Sequence, residues 1–266
     1  MDKLAVVKIG GNVIEDVVAL QSFLINFAQI QGPKILIHGG GKKATAMAKQ
    51  LGVPVEMVDG RRITDAQNLD IITMLYGGKI NKNIVAQLQG LGCNAIGLSG
   101  ADGNAIQAIK RPVKEIDYGF VGDVVNVNNS FFQLLLKGEL TPVCCAISHD
   151  QKGQLLNTNA DTIAASIAQG MSSHFEVSLW YCFEKKGVLE NIDDENSVIE
   201  NITPKKYQLL KADQIIHSGM IPKIDNCFDA LSNGVTEVKI GAPEMISGNT
   251  QHTLSLIHIS EPTRLG

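Results

Sequence analysis

Leu4-Ala5-Val6-Val7-Lys8-Ile9-Gly10-Gly11 is the stretch on which the fold turns. A continuous apolar run of this length, stopped by glycines, is the pattern of a strand buried on both faces. A helical periodicity follows it, with Val17, Leu20, Leu24, Phe27 and Ala28 spaced along one helix face. Lys34-Ile35-Leu36-Ile37-His38-Gly39-Gly40-Gly41 then repeats the first theme. Strand, helix and strand in alternation predict an α/β fold: an open, mainly parallel sheet with helices on both faces, a three-layer αβα sandwich.

The same rhythm runs outward along the chain. Residues 42–51 read as helix, and residues 65–89 as a long helix broken near Gly77-Gly78. Residues 94–99, 140–148, 175–183 and 235–240 read as strands, and residues 104–127 as hairpins. Asn159-Ala160-Asp161 opens a helix, and Pro222 opens another at the first-turn position that proline favours. A single domain over residues 1–253 is expected, with an N-lobe to about 172 and a C-lobe over 173–253. Residues 254–266 do not continue the pattern and read as a tail, possibly of non-native sequence.

Composition narrows the function. Lys and Arg number 23 against 27 Asp and Glu, for a net charge of -4. That argues against a nucleic-acid binder driven by a basic surface. No apolar run approaches the ~20 residues of a membrane helix. The N-terminus enters its first strand without a charged-then-apolar leader, so a cytoplasmic protein is expected. The 5 cysteines include no C-x-x-C pair, so neither a disulfide framework nor a zinc site is indicated, and no protein-held metal is expected. Glycine is abundant, at 26 residues, and glycine permits close backbone approach to a ligand.

Two glycine clusters, each ending a strand, are where an α/β sheet binds anions: successive N–H groups at a helix start attract phosphate. Lys8 sits two positions before the first. No Walker A loop and no G-x-G-x-x-G is present. His38 reads as a satisfied strand-end histidine rather than a general base. Asn157-Thr158-Asn159-Ala160-Asp161 exceeds what a helix cap requires. Lys223 alone would read as a solvated charge.

Together these segments resemble the amino acid kinase family over residues 3–248. The matching segments are Val6-Val7-Lys8-Ile9-Gly10-Gly11, Ile37-His38-Gly39-Gly40-Gly41, Asp59-Gly60-Arg61-Arg62-Ile63-Thr64, Leu155-Leu156-Asn157-Thr158-Asn159-Ala160-Asp161 and Gly219-Met220-Ile221-Pro222-Lys223. The resemblance implies ATP-dependent phosphorylation of a carboxylate, with Mg2+ carried mainly by the nucleotide. The Gly60-Arg61-Arg62-Ile63-Thr64 segment points to an N-acyl-L-glutamate acceptor. Lys8 and Lys223 would then stabilise the transferring phosphoryl group and Asp161 would hold both lysines. Gly10, Gly11 and Gly40 would line the phosphate path; Gly40, Gly41, Arg62 and Asn157 would bind the acceptor. Cys182, Glu184, Gly187, Leu189, Ile216 and His217 would form the adenine and ribose site.

Trp180-Tyr181-Cys182-Phe183-Glu184-Lys185-Lys186 departs from the Thr/Ser-Asp run that many relatives carry there. The acyl group is open between acetyl and succinyl. Other acceptors of the family, and a non-catalytic acylglutamate or nucleotide sensor, are the competing readings. A homodimer is expected through the 65–89 helix, with Ile71, Ile72, Leu75 and Ile80 as contacts or as core. Lys8 lies too near Met1 for the extra N-terminal helix of arginine-sensitive relatives, so insensitivity to arginine is expected.

Overall fold

The computed structural model describes residues 1–58, 60–191, 193–213, 215–216, 220–248 and 252–255. Its main sheet has eight strands in the order Asn201–Ile202, Thr253–Ser255, Glu237–Gly241, Glu176–Cys182, Lys3–Ile9, Lys34–His38, Thr141–Cys145, Ala95–Leu98. Neighbours are parallel except where Thr253–Ser255 runs antiparallel to Glu237–Gly241. Val6, Val7, Ile35, Leu36 and Ile37 are each fully buried. Successive strand residues point to opposite faces, so both faces of the sheet are covered. That is the three-layer α/β arrangement expected from the apolar runs.

Three departures carry physical meaning. The 65–89 stretch does not break at its glycines. Ala66–Ile72 passes into a π-helical segment, Thr73–Ile80, and on into Asn81–Gly90. Glycine weakens a helix without forbidding it, and here the strain is taken up by a wider turn. Ile71, Ile72, Leu75 and Ile80 are all buried within the protomer, so they are core; Met74 is the exposed apolar residue of that segment. Lastly, Leu254 and Ser255 join the sheet, two residues past the end at 253 drawn from the sequence. The remainder of the tail lies outside the described residues.

A second sheet joins Leu155–Asn157, Ile147–His149, Ile106–Lys110 and Gly122–Val127. Its antiparallel pair Ile106–Lys110 and Gly122–Val127 is the expected hairpin. A small ribbon, Met57–Val58 with Arg61–Arg62, completes the strands.

Register positions the site. Ile9 lies level with Cys182 on one side and His38 on the other, and Cys182 lies level with Gly241. The chain therefore leaves these strands along one sheet edge, at their carboxyl ends. Ligands of open α/β sheets bind there.

Candidate active site

A cavity of about 740 Å³ opens at that edge, with Lys8, Gly10, Gly11, Gly41, Asp161, Glu184 and Lys223 among its walls. Lys8 is near the end of its strand. Its Nζ lies 2.7 Å from Asp161 Oδ1. The contact is one of charge, since Oδ1 lacks an aligned hydrogen-bond donor. Asp161 stands in the first turn of Ala160–Met171, and that helix is capped by Asn159, whose Oδ1 accepts from the N–H groups of Asp161 (2.7 Å) and Thr162 (3.3 Å). The cap is thus Asn159, and the Asp161 carboxylate is free for Lys8. Tyr181 fixes the turn further by donating its hydroxyl to the Asp161 carbonyl at 3.1 Å.

Lys223 enters from the first turn of Ile221–Ser232. The two lysines, remote in sequence, share one aromatic ring: Lys8 Nζ is 5.0 Å and Lys223 Nζ 4.1 Å from the Phe183 centroid. Phe183 in turn stacks on Tyr181, centroids 6.1 Å apart. Burial holds the Lys223 ammonium below the usual lysine range, partly offset by the charge of Asp161; Lys8 lowers it and Glu184 raises it. The sequence reading has Asp161 holding both lysines. In the structure Asp161 pairs with Lys8, and Lys223 rests over Phe183 within the field of Asp161.

The glycines divide. Gly10 donates its N–H to the Cys182 carbonyl at 3.0 Å, and Gly11 starts Gly11–Glu15 at the cavity wall. Gly40 is buried behind that wall: a Cβ there would lie 2.5 Å from Ile80 Cδ1 and 2.8 Å from Tyr76 Cε1. Gly41 reaches the cavity.

Gly41, Thr45, Arg62, Thr64 and Asn157 form a hydrogen-bonded corner beside it. Arg62 is buried, and its Nη2 donates to the Gly41 carbonyl (3.0 Å) and the Thr45 hydroxyl (2.6 Å). Its Nη1 is buried without a partner. Asn157 donates to the Thr64 hydroxyl at 3.0 Å, and that hydroxyl donates to the Arg62 carbonyl at 3.3 Å.

Of the residues expected at the nucleotide, Glu184, Gly187, Leu189 and Ile216 line the cavity, with Val188, Ile215, Met220 and Ile240. Cys182 does not: its side chain is fully buried, and burial pushes its thiol well above the usual range. Its contribution is the carbonyl that receives Gly10. His217 lies outside the described residues. His38 is fully buried, with Nδ1 2.9 Å from the Gly39 carbonyl and Nε2 3.1 Å from Asn81 Nδ2. Burial holds its pKa down to about 4, so it is a neutral structural histidine. Asn12, Val13, Lys42 and Ile240 line the cavity without having been named in the sequence reading, and Phe183, inside the segment expected at the nucleotide, was not singled out as the ring beneath both lysines; an aromatic among apolar neighbours looks like core. Among the described residues no group of three or more His, Cys, Asp or Glu is arranged to hold a metal, and no helix is long and apolar enough to cross a membrane.

A parallel α/β sheet whose strand ends gather glycines, two lysines and an aspartate around one cavity suits a phosphate group. The chain belongs to the amino acid kinase family, whose model matches residues 3–242. It is 52% identical over 239 residues to the acetylglutamate kinase of Phocaeicola vulgatus, covering 90% of this chain and 93% of that one. It is 53% identical over 247 residues to the acetylglutamate kinase of Cytophaga hutchinsonii, covering 92% and 94%. The crystal structure of smu.665 from Streptococcus mutans superposes with a TM-score of 0.78 at 26% identity, over 97% of this chain and 99% of that one.

Proposed function

We propose that the chain is an acetylglutamate kinase. It would transfer the terminal phosphoryl group of ATP to the γ-carboxylate of N-acetyl-L-glutamate, giving N-acetyl-L-glutamyl 5-phosphate, the second step of arginine biosynthesis. Relatives of that name match nine-tenths of the chain at about half identity. The observation that carries the chemistry is Lys8 paired to Asp161 at 2.7 Å, with Lys223 over the same ring that Lys8 faces.

The acceptor carboxylate has an ordinary pKa near ~4.3 and is ionised at neutral pH, so no general base is needed. The difficulty is bringing one anion to another. Positioning and charge stabilisation then do most of the catalysis. Lys8 and Lys223 would meet the charge on the transferring oxygens. Gly10 and Gly11 bring backbone close to the phosphates. Mg2+, carried mainly by the nucleotide, supplies further neutralisation. Val188, Leu189, Ile215, Ile216, Met220 and Ile240 give the far wall an apolar character, which suits a purine base. Arg62 and Asn157 would hold the acylglutamate, Arg62 as a planar fork for a carboxylate. The N-lobe to about residue 172 would bind the acceptor and residues 173–253 the nucleotide. A cytoplasmic homodimer is part of the same reading; its contacts would involve exposed Met74 and the sheet-edge strand Ala95–Leu98.

The test is an assay with ATP, Mg2+ and N-acetyl-L-glutamate, trapping the acyl phosphate as its hydroxamate. Hydroxamate that depends on all three components is the expected result. None formed, with N-succinyl-L-glutamate or a panel of other acceptors turned over instead, would overturn the acetylglutamate assignment.

A further inference from the structure

Tyr76 lies within the π-helical segment Thr73–Ile80. Such turns are rare and often mark functional positions. The residue is 5% exposed. Its ring closes against Gly40, where an added Cβ would come within 2.8 Å of Cε1. Its hydroxyl reaches Gly41, lying 3.8 Å from where a Cβ on Gly41 would stand. That hydroxyl makes no hydrogen bond to the described residues and, unlike the buried orphans of this protein, stays open to solvent.

Arg62 meets the same glycine, with Nη2 donating to the Gly41 carbonyl at 3.0 Å. The arginine is 7% exposed, and its Nη1 is buried and unpartnered. At Gly41, then, stand a buried guanidinium nitrogen with nothing to give to and a hydroxyl that makes no hydrogen bond to the described residues. Buried polar groups are nearly always paired, and an orphan marks a missing partner. The missing partner must accept hydrogen bonds, and beside a guanidinium it should be an anion. Burial raises the Tyr76 hydroxyl to about 12, against the opposing charge of Arg62. It therefore stays a neutral donor throughout the working range of pH.

We propose that Tyr76 is a substrate-binding residue: its hydroxyl and Arg62 Nη1 each donate to one oxygen of the acceptor's α-carboxylate. The inference rests on the acetylglutamate kinase reading and deepens it. That carboxylate is the one not phosphorylated, and it must be neutralised away from Lys8 and Lys223. Neither Arg62 nor Tyr76 belongs to the walls of the lysine cavity, whereas Gly41 belongs to both places. The glycine thus divides the two carboxylates of one ligand between the lysine pair and the Arg62–Tyr76 donors.

Tyr76→Phe keeps the ring on Gly40 and removes only the hydroxyl. Calorimetric titration of the full chain with N-acetyl-L-glutamate should show binding about tenfold weaker in the variant. Unfolding temperature without ligand should be unchanged, because the hydroxyl has no internal partner to lose. The same titration with N-acetyl-L-isoglutamine, whose α-carboxylate is an amide, should show a loss below about threefold. A variant that binds N-acetyl-L-glutamate within twofold of wild type would overturn the role of Tyr76. Equal losses with both ligands would overturn the assignment to the α-carboxylate. Wild-type protein that neither binds nor phosphorylates N-acetyl-L-glutamate would remove the kinase reading itself. That failure is told apart by the wild-type titration alone.

Discussion

Gly11 and Gly40 follow adjacent parallel strands, and each stands at the start of a helix. A Cβ on Gly11 would meet nothing within 4 Å, whereas a Cβ on Gly40 would collide with Ile80 and Tyr76. The first glycine keeps a space empty. The second lets the protein fill a space from behind. The same contrast separates the two halves of the site. The proposed phosphoryl half is an open cavity with Lys8, Asp161 and Lys223 among its walls. The proposed acceptor half is a packed corner whose recognition atoms would be the few donors left over, Arg62 Nη1 above all. On the proposed reading, charge placed around a void would do the chemistry, and leftover hydrogen-bonding capacity would do the selecting.

This contrast can be broken experimentally, and the largest effects belong to the open half. Lys8→Ala and Lys223→Ala should each lower kcat by about 10²–10³, with smaller changes in either KM. Steady-state kinetics reads this directly, and a lysine whose loss changes only the KM for ATP would leave the phosphoryl-transfer role. In the packed half, Arg62→Ala should instead raise the KM for N-acetyl-L-glutamate by about 10- to 150-fold while kcat changes little, since a charge-assisted bond to substrate is lost equally in ground and transition states. A rise in the KM for ATP alone would place Arg62 on the wrong ligand.

The glycines sharpen the comparison further. Gly40→Ala should destabilise the fold by about 1–3 kcal/mol through overpacking against Tyr76 and Ile80. Gly11→Ala should leave the unfolding midpoint unchanged within ~0.5 kcal/mol and weaken ATP use severalfold. Denaturant melts of both variants, set beside their ATP kinetics, test the pair. Reversed outcomes would mean that the two turns have been assigned the wrong way round.

The smallest effect expected is in pH dependence. Lys223 must be protonated to act, and burial lowers its pKa. Activity should therefore be complete on the acid side and be lost as pH rises through a value below the ordinary lysine range. The Phe183 ring, 4.1 Å from Lys223 Nζ, favours the charged form. Phe183→Leu should move the alkaline limb of the kcat profile further down in pH, and Phe183→Tyr should restore it. An alkaline limb that does not move in Phe183→Leu would deny the ring this role.

Much of the open half was legible in the sequence, because strands buried on both faces read as unbroken apolar runs and their glycine ends mark the sheet edge. Lys8, Asp161 and Lys223, which the motifs single out, line one cavity. The rest depended on three-dimensional packing. Cys182 and Phe183 are neighbours on a strand end, and neighbours point to opposite faces; Phe183 reaches the cavity and Cys182 the core. Asn159 and Asp161 are both good caps, and only the structure shows that Asn159 takes that role. Tyr76 sits among Leu75, Gly77 and Ile80, and a helix carried through Gly77-Gly78 by a π turn has no simple periodic signature. The strand Thr253–Ser255 is too short to announce itself; it is held by Val188 N–H donating to the Thr253 hydroxyl at 2.7 Å.

The claim at the centre is that Asp161 orders the lysine charges and is not a helix cap. Asp161→Asn keeps the shape and removes the charge, and the Asn159 cap remains to hold the helix. The decisive measurement is kcat of the folded variant at saturating ATP and N-acetyl-L-glutamate. A fall of about a hundredfold or more is expected if the carboxylate belongs to the transition-state charge network. A folded Asp161→Asn protein with kcat within about threefold of wild type, less than ~1.4 kcal/mol of barrier, would contradict it.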